Sequence, residues 1–397
     1  MNKQILPSNG YGLKDCEYDE LVERIYGFEE YYYYKDENHH DDYMFILNEL
    51  DKIHRNVPMI ENYRNALLGW YISFQNIPRK LNKKCFLFKI TDSCQLKCKH
   101  CYQQFIKHKN KNMSYDSFVF LFNKHLRISD SFYIKDKPCS EIVIEGGEAT
   151  LNKDLPKIIE FVNSKKIFVT LLTNGIHMPD DVLCALKGHP KNRVQISIDG
   201  LEETHDYIRG KGTFQKSIST IKLLRDNGIN VYCNFVIHSI NYKEFIPLQK
   251  YLLNEGVELN CMHYTSQNKD DIQGLNKEEL EIVMPYYKES SRNYAIGTLR
   301  CNEGIISSIL EEGDFLSCRR IMSEDFHSIA NYFNDSDEEC VQKIKKYAIR
   351  SRSIPAYCIP CKKVNTCLGG MLCSRTRKEN MFNLEDEVCH LLNKAEF

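Results

Sequence analysis

Between residues 83 and 265 the chain alternates short apolar runs with longer stretches whose apolar positions recur at helical spacing. The runs CFLFKI, EIVIE, IFVTLL, RVQISI, VYCNFVI and VELNCMHY read as strands. Between them YDSFVFLFNKHL, LPKIIEFVNS, PDDVLCAL, TFQKSISTIKLLRDNG and EFIPLQKYLLNEG read as amphipathic helices, some ending at glycine. Strand alternating with helix predicts a parallel sheet with right-handed crossovers. The pattern therefore predicts an α/β fold, a partial (β/α)6 TIM-like barrel over residues 83–270, with its chemistry at the C-terminal ends of the strands. Residues 1–82, rich in Tyr, Glu, Asp and Asn, predict a small and mostly helical region. Residues 271–300 read as a connecting helix with polar flanks. From 301 to 397 the periodicity is irregular and core-forming sequence is sparse, so that region calls for another source of stability such as metal ligation.

Composition narrows the classes of function. With 53 basic against 54 acidic side chains in 397 residues, no summed field favours nucleic acid or an anionic membrane. No apolar run approaches the roughly 20 residues of a spanning helix, and the first residues lack the form of a secretion signal, so the expected location is the cytoplasm. The 17 cysteines change this picture. In a reducing compartment so many thiols point to metal or redox chemistry, and an odd count fits poorly with a closed disulfide framework.

The distinctive short motifs fall at predicted strand ends. Cys94, Cys98 and Cys101 follow the first strand as CX3CX2C, with His100 before the last cysteine and Tyr102 after it; IEGGEAT follows the second, TNG the third and SIDG the fourth. Three thiolates on a cubane iron–sulfur cluster leave one iron without a protein ligand, whereas a zinc loop would need a fourth Cys or His. This ordered set resembles the radical S-adenosylmethionine (SAM) superfamily. The resemblance implies a [4Fe-4S] cluster whose open iron is chelated by the amino and carboxylate groups of SAM, and reductive cleavage of SAM to methionine and a 5′-deoxyadenosyl radical. It assigns cofactor contacts to His100, Tyr102, Gly146, Gly147, Glu148, Ser197, Asp199 and Arg209. Glu148 is expected to accept from the amino group of SAM, Ser197 and Asp199 to bond the ribose hydroxyls, and Arg209 to pair with the methionine carboxylate. The Thr and Pro that usually flank GGE are Glu145 and Ala149 here, a departure from the family's pattern at the local turn. Thr173 and Asn174 of TNG receive no role.

A second cysteine field lies towards the C terminus. Cys301, Gly313 and Cys318 form CX11GX4C, followed by Cys358, Cys361, Cys367, Cys373 and Cys389. This resembles the SPASM extension of radical SAM enzymes, except that five residues rather than three separate Cys367 from Cys373. The resemblance implies two auxiliary iron–sulfur clusters, one held by Cys358, Cys361, Cys367 and Cys389, the other by Cys301, Cys318 and Cys373. Position 295, near where a fourth ligand to the latter often lies, is alanine. The remaining cysteines, Cys16, Cys85, Cys139, Cys184, Cys233, Cys261 and Cys340, are expected to be buried small hydrophobes, with Cys261 and Cys340 the foremost exceptions.

Proteins with a SPASM extension characteristically modify peptides. The expected activity is therefore oxidative crosslinking of a ribosomally made precursor peptide, with residues 1–82 a possible leader-recognition element and a flavodoxin or ferredoxin as reductant. A sulfatase-type formylglycine maturase is the alternative within the class. A non-catalytic iron–sulfur carrier or zinc-stabilised binding protein is the alternative outside it.

Overall fold

Strand β1 (Lys84–Lys89) opens a βα series in the computed structural model, which describes residues 84–101, 103, 110–129, 131, 138–264, 272–276, 278, 279, 281–283, 307–316, 328–351, 354, 358, 360–362 and 364. The expected helical region 1–82, Tyr102, and Cys301, Cys318, Cys367, Cys373 and Cys389 lie outside the described residues. The series continues with α1 (Tyr115–Ser129), β2 (Cys139–Glu145), α2 (Leu155–Ser164), β3 (Phe168–Thr173), α3 (Asp180–Leu186), β4 (Arg193–Ser197), α4 (Glu202–Arg209), α5 (Thr213–Asp226), β5 (Asn230–Ile237), α6 (Phe245–Asn254) and β6 (Glu258–His263). Each predicted strand and helix of this region is present. Helix α4, absent from the sequence reading, is short and polar and buries only His205 and Ile208.

The strands β1 to β6 pair in sequence order, every neighbour parallel, with Phe88 opposite Ile144 and Leu171 opposite Val194. Alternation then divides the two faces. Val194, Ile196 and Ile198 are buried in the same core as Phe88, whose ring lies 4.7 Å from Phe118 of α1. Arg193, Gln195 and Ser197 take the opposite, inner face and are half-buried. Near the N-terminal ends of the strands this inner face is tied by charge. Arg193 donates from Nη2 to Glu141 (2.6 Å) and from Nε to the Thr170 hydroxyl (2.8 Å), which itself donates to Glu141 (2.7 Å).

Beyond β1 the same sheet gains β7 (Ser307–Ile309), parallel to β1, then β8 (Asp314–Leu316) and β9 (Ala330–Asn331), each antiparallel to its neighbour. Gly313 of the CX11GX4C motif sits in the β7–β8 turn at φ +79°, and a Cβ there would lie 2.5 Å from the Phe333 ring. Both the left-handed turn and the ring demand glycine. Helix α7 (Asp337–Ser351) comes next, so the described residues between 307 and 351 hold more regular structure than their periodicity predicts. Its start is a capping box: the Glu339 amide donates to Ser336 Oγ (3.1 Å) and the Ser336 amide to Glu339 Oε2 (2.8 Å). Cys340, Ile344 and Tyr347 are its buried stripe. Among the other cysteines Cys139 and Cys233 are buried as expected and Cys261 is half-buried, whereas Cys184 is exposed on α3.

Candidate active site

Residues 91 to 101 leave β1 and carry the three thiols. The segment is fixed first by a pair of bonds to Lys111: the Asp92 amide donates to the Lys111 carbonyl (3.1 Å) and the Lys111 amide to Asp92 Oδ1 (2.7 Å). It is fixed next by the loop after β2, where the Gly147 amide donates to the Thr91 carbonyl (2.8 Å) and the Glu148 amide to the Ser93 carbonyl (2.7 Å). A Cβ on Gly146 would stand 2.7 Å from Thr91 Cγ2, and one on Gly147 would stand 2.5 Å from the Ser93 carbonyl oxygen. The two glycines are thus required by close approach of one loop backbone to the other.

Cys94, Cys98 and Cys101 are each half-buried. The Leu96 amide points at Cys94 Sγ and the Gln103 amide at Cys101 Sγ, both at 3.4 Å, and Arg209 Nη1 lies 3.9 Å from Cys98 Sγ. Burial pushes the Cys94 thiol up and the Cys98 thiol up to about 12, with Arg209 opposing, so metal binding at Cys98 must displace a proton. Among the described residues no three His, Cys, Asp or Glu side chains converge on one ion. Three thiols spread along a loop, with backbone amides aimed at two sulfurs and a third sulfur facing a cation, fit a cluster of several irons.

Glu148 is held by the protein itself. Its carboxylate is buried and accepts four hydrogen bonds: Oε1 from the Thr150 amide (3.1 Å), the Thr150 hydroxyl (2.7 Å) and the Thr173 hydroxyl (2.7 Å), and Oε2 from the Asn174 amide (2.8 Å). Thr173 and Asn174, left without a role by the sequence, thereby join the ends of β2 and β3 through this carboxylate. Desolvation raises the Glu148 pKa and the hydrogen bonds hold it back.

Asp199 and Arg209 meet each other. Arg209 Nε donates to Asp199 Oδ2, which His100 Nε2 also approaches at 3.3 Å, while the Val236 amide donates to Oδ1 (3.2 Å). Burial opposes ionisation of Asp199, but Arg209 and the imidazoles of His100 and His205 outweigh it and hold the carboxyl below the usual range. The backbone around it is fastened by Asn241, which donates to the Asp199 carbonyl (3.0 Å) and the Val236 carbonyl (2.9 Å), and by His205 Nδ1, which accepts from the Asp199 amide (3.2 Å). Neither Asn241 nor His205 carried a spacing signal. Ser197, half-buried at the C-terminal end of β4, is the remaining residue of the SIDG pair on the inner face. Cys358 and Cys361 form a turn closed by the Cys361 amide on the Cys358 carbonyl (3.0 Å), beside Ile354 and Val364.

A parallel sheet left open as a partial barrel, with three thiols carried beyond its first strand and polar loops from the next four gathered around them, defines a domain for metal–sulfur chemistry at a barrel mouth. Residues 88–252 match the family described as the Radical SAM superfamily, and this chain carries a radical SAM domain. The family implies a [4Fe-4S] cluster and SAM.

Among curated relatives, the sporulation killing factor maturation protein SkfB of Bacillus subtilis is 29% identical over 169 residues, 42% of this chain and 39% of SkfB. The antilisterial bacteriocin subtilosin biosynthesis protein AlbA of the same organism is 25% identical over 301 residues, 70% of this chain and 63% of AlbA. The Fe-coproporphyrin III synthase of Methanosarcina barkeri is 27% identical over 186 residues, 47% of this chain and 45% of the synthase. The matches span less than two thirds of each relative, and the core they share does not by itself name a substrate. The fold matches the crystal structure of Streptococcus suis SuiB bound to precursor peptide SuiA with a TM-score of 0.61 at 17% identity, over 84% of this chain and 82% of SuiB.

Proposed function

We propose that this chain is a radical SAM enzyme that oxidatively crosslinks a ribosomally made peptide, through a thioether or carbon–carbon bond. The observation that carries the reading is the clasp of the Gly146–Gly147–Glu148 loop on the cysteine loop, which holds the three thiols beyond β1. Cys94, Cys98 and Cys101 would hold the cluster. The chemistry such a cluster supplies when bound is one-electron reductive cleavage of SAM. Ser197 offers a hydroxyl to the ribose from the inner face, and His100 with Tyr102 flanks the last thiol as aromatic contacts to the cofactor. Gly146, Gly147 and Glu148 hold the loop in place. The ties of Asn241 and Asp199 keep the loops after β4 and β5 around the same mouth.

Peptide as substrate class is supported by the names of SkfB and AlbA, by the SuiB–SuiA complex, and by the cysteine pattern from Cys301 to Cys389 with its Cys358–Cys361 turn. In this reading those cysteines hold two auxiliary iron–sulfur clusters, residues 1–82 receive the leader of the precursor, and a flavodoxin or ferredoxin delivers the electron. The test is anaerobic incubation of reconstituted, reduced protein with SAM and the precursor encoded beside its gene. The proposal expects 5′-deoxyadenosine together with a peptide lighter by two hydrogen atoms. Formation of 5′-deoxyadenosine with no change in the peptide would remove the peptide reading, and no 5′-deoxyadenosine at all would remove the enzyme.

A further inference from the structure

We infer that Arg209 serves the cysteine loop itself: it is a fixed cation, pinned by Asp199 against the Cys98 sulfur, that raises the reduction potential of the cluster bound there. The inference rests on the cluster reading above. Four observations place the charge. The Arg209 side chain is 10% exposed and the Asp199 side chain 0%, so neither is free to swing into solvent. The guanidinium is divided between them and the site, with Nε on Asp199 Oδ2 and Nη1 at 3.9 Å from Cys98 Sγ. Helix α4 ends at Arg209, where Gly210 turns the chain at φ +123°, and the Lys99 amide donates to the Ile208 carbonyl (3.0 Å). That last bond welds the end of α4 to the residue between Cys98 and His100. Finally, Asp199 is itself held from β5 by the Val236 amide and from the cysteine loop by His100.

Charge sets the sign of the effect. Reduction adds one electron to a centre already bearing three thiolates, and a cation held within about 4 Å in a poorly polarisable surrounding stabilises the more negative state. Asp199 lies behind the guanidinium and tempers it. A SAM-carboxylate contact alone predicts something else: loss of SAM affinity with the potential of the SAM-free cluster unmoved.

The experiment is a redox titration monitored by electron paramagnetic resonance on anaerobically reconstituted protein without SAM, with iron and sulfide counted in each variant. Arg209→Gln is expected to shift the potential to more negative values at unchanged iron content, and Arg209→Lys, which keeps the charge without the fork, to recover part of the shift. Asp199→Asn leaves the cation untempered and is expected to shift the potential the other way, which provides a second reading should Arg209→Gln fail to load iron. Opposite signs for the two substitutions cannot come from loosened packing alone. A potential unchanged in Arg209→Gln with full iron, or moved in the same direction by Asp199→Asn, overturns the inference. Wild-type protein that holds no cluster overturns the underlying reading instead.

Discussion

Gly147 and Glu148 show how much of the site is decided by single atoms. Gly147→Ala would drive a Cβ into two backbone carbonyls, Ser93 at 2.5 Å and Asp92 at 2.7 Å, and neither can move without carrying the cysteine loop with it. We expect this variant to lose about 1–3 kcal/mol of stability, as overpacking typically does, and to retain less iron on reconstitution, checked by urea unfolding and iron assay. Glu148→Gln keeps the shape but turns an amide NH2 towards groups that are themselves donors, so a loss of about 1–3 kcal/mol by the same unfolding assay is expected. At this scale the sequence was legible in the placement of Cys94, Cys98 and Cys101 on the loop after β1, and where glycine allows close approach. It was not legible in the partners of polar groups. SIDG and IRG place Asp199 and Arg209 near a strand end, but nothing in a linear string says that their charges satisfy each other across a loop, or that Asn241 and His205 hold the carboxylate's backbone.

Elements were readable in proportion to their share of the core. The strands β1 to β6 declare themselves because a buried face carries mainly apolar residues, as in Phe86, Phe88 and Ile90, or Cys233, Phe235 and Ile237. Helix α4 escapes because two buried residues make no stripe. Helix α7 escapes because charge crowds its stripe, although Ser336 and Glu339 offered a capping signal. Its attachment to α1 is polar, with an exposed Arg127–Asp337 pair and a buried lysine. Lys124, with a side chain 7% exposed, donates to the Tyr332 carbonyl (2.9 Å) and the Asp335 carbonyl and lies 3.7 Å from Asp337. Lys124→Met removes the charged donor from both carbonyls and is expected to cost about 2–3 kcal/mol, visible as faster amide exchange in α7. The loops after β4 and β5 carry a pH dependence of known sign. Burial pushes His205 and His238 down to about 4 from an ordinary 6.5. The unfolded chain therefore binds more protons between those values, so stability contributed by the neutral imidazoles is intact above pH 6.5 and is lost as pH falls towards 4. Urea unfolding across that window is expected to show a loss on the order of 1–2 kcal/mol per histidine at pH 5. Asp199, depressed as well, adds to the loss only at still lower pH.

For the whole molecule, the sheet is the joint between the barrel and the C-terminal strands. Strands β7 to β9 prolong it beyond β1, and the buried Lys89–Glu311 pair (3.1 Å) ties the end of β1 to the β7–β8 turn, next to the segment that carries the thiols. Among the described residues no helix is long and apolar enough to cross a membrane. The sequence placed a boundary before residue 301 because hydrophobic periodicity lapses there, yet pairing of β7 with β1 depends on backbone hydrogen bonds that leave little trace in residue type. The central claim is that Cys94, Cys98 and Cys101 hold a cluster with one iron left for SAM. Its most direct measurement is the electron paramagnetic resonance spectrum of the reduced cluster at this trio, recorded in a variant with Cys301, Cys318, Cys358, Cys361, Cys367, Cys373 and Cys389 replaced by alanine, with and without SAM. The account predicts a spectrum whose g-values move when SAM is added, and a spectrum that SAM leaves unchanged contradicts it.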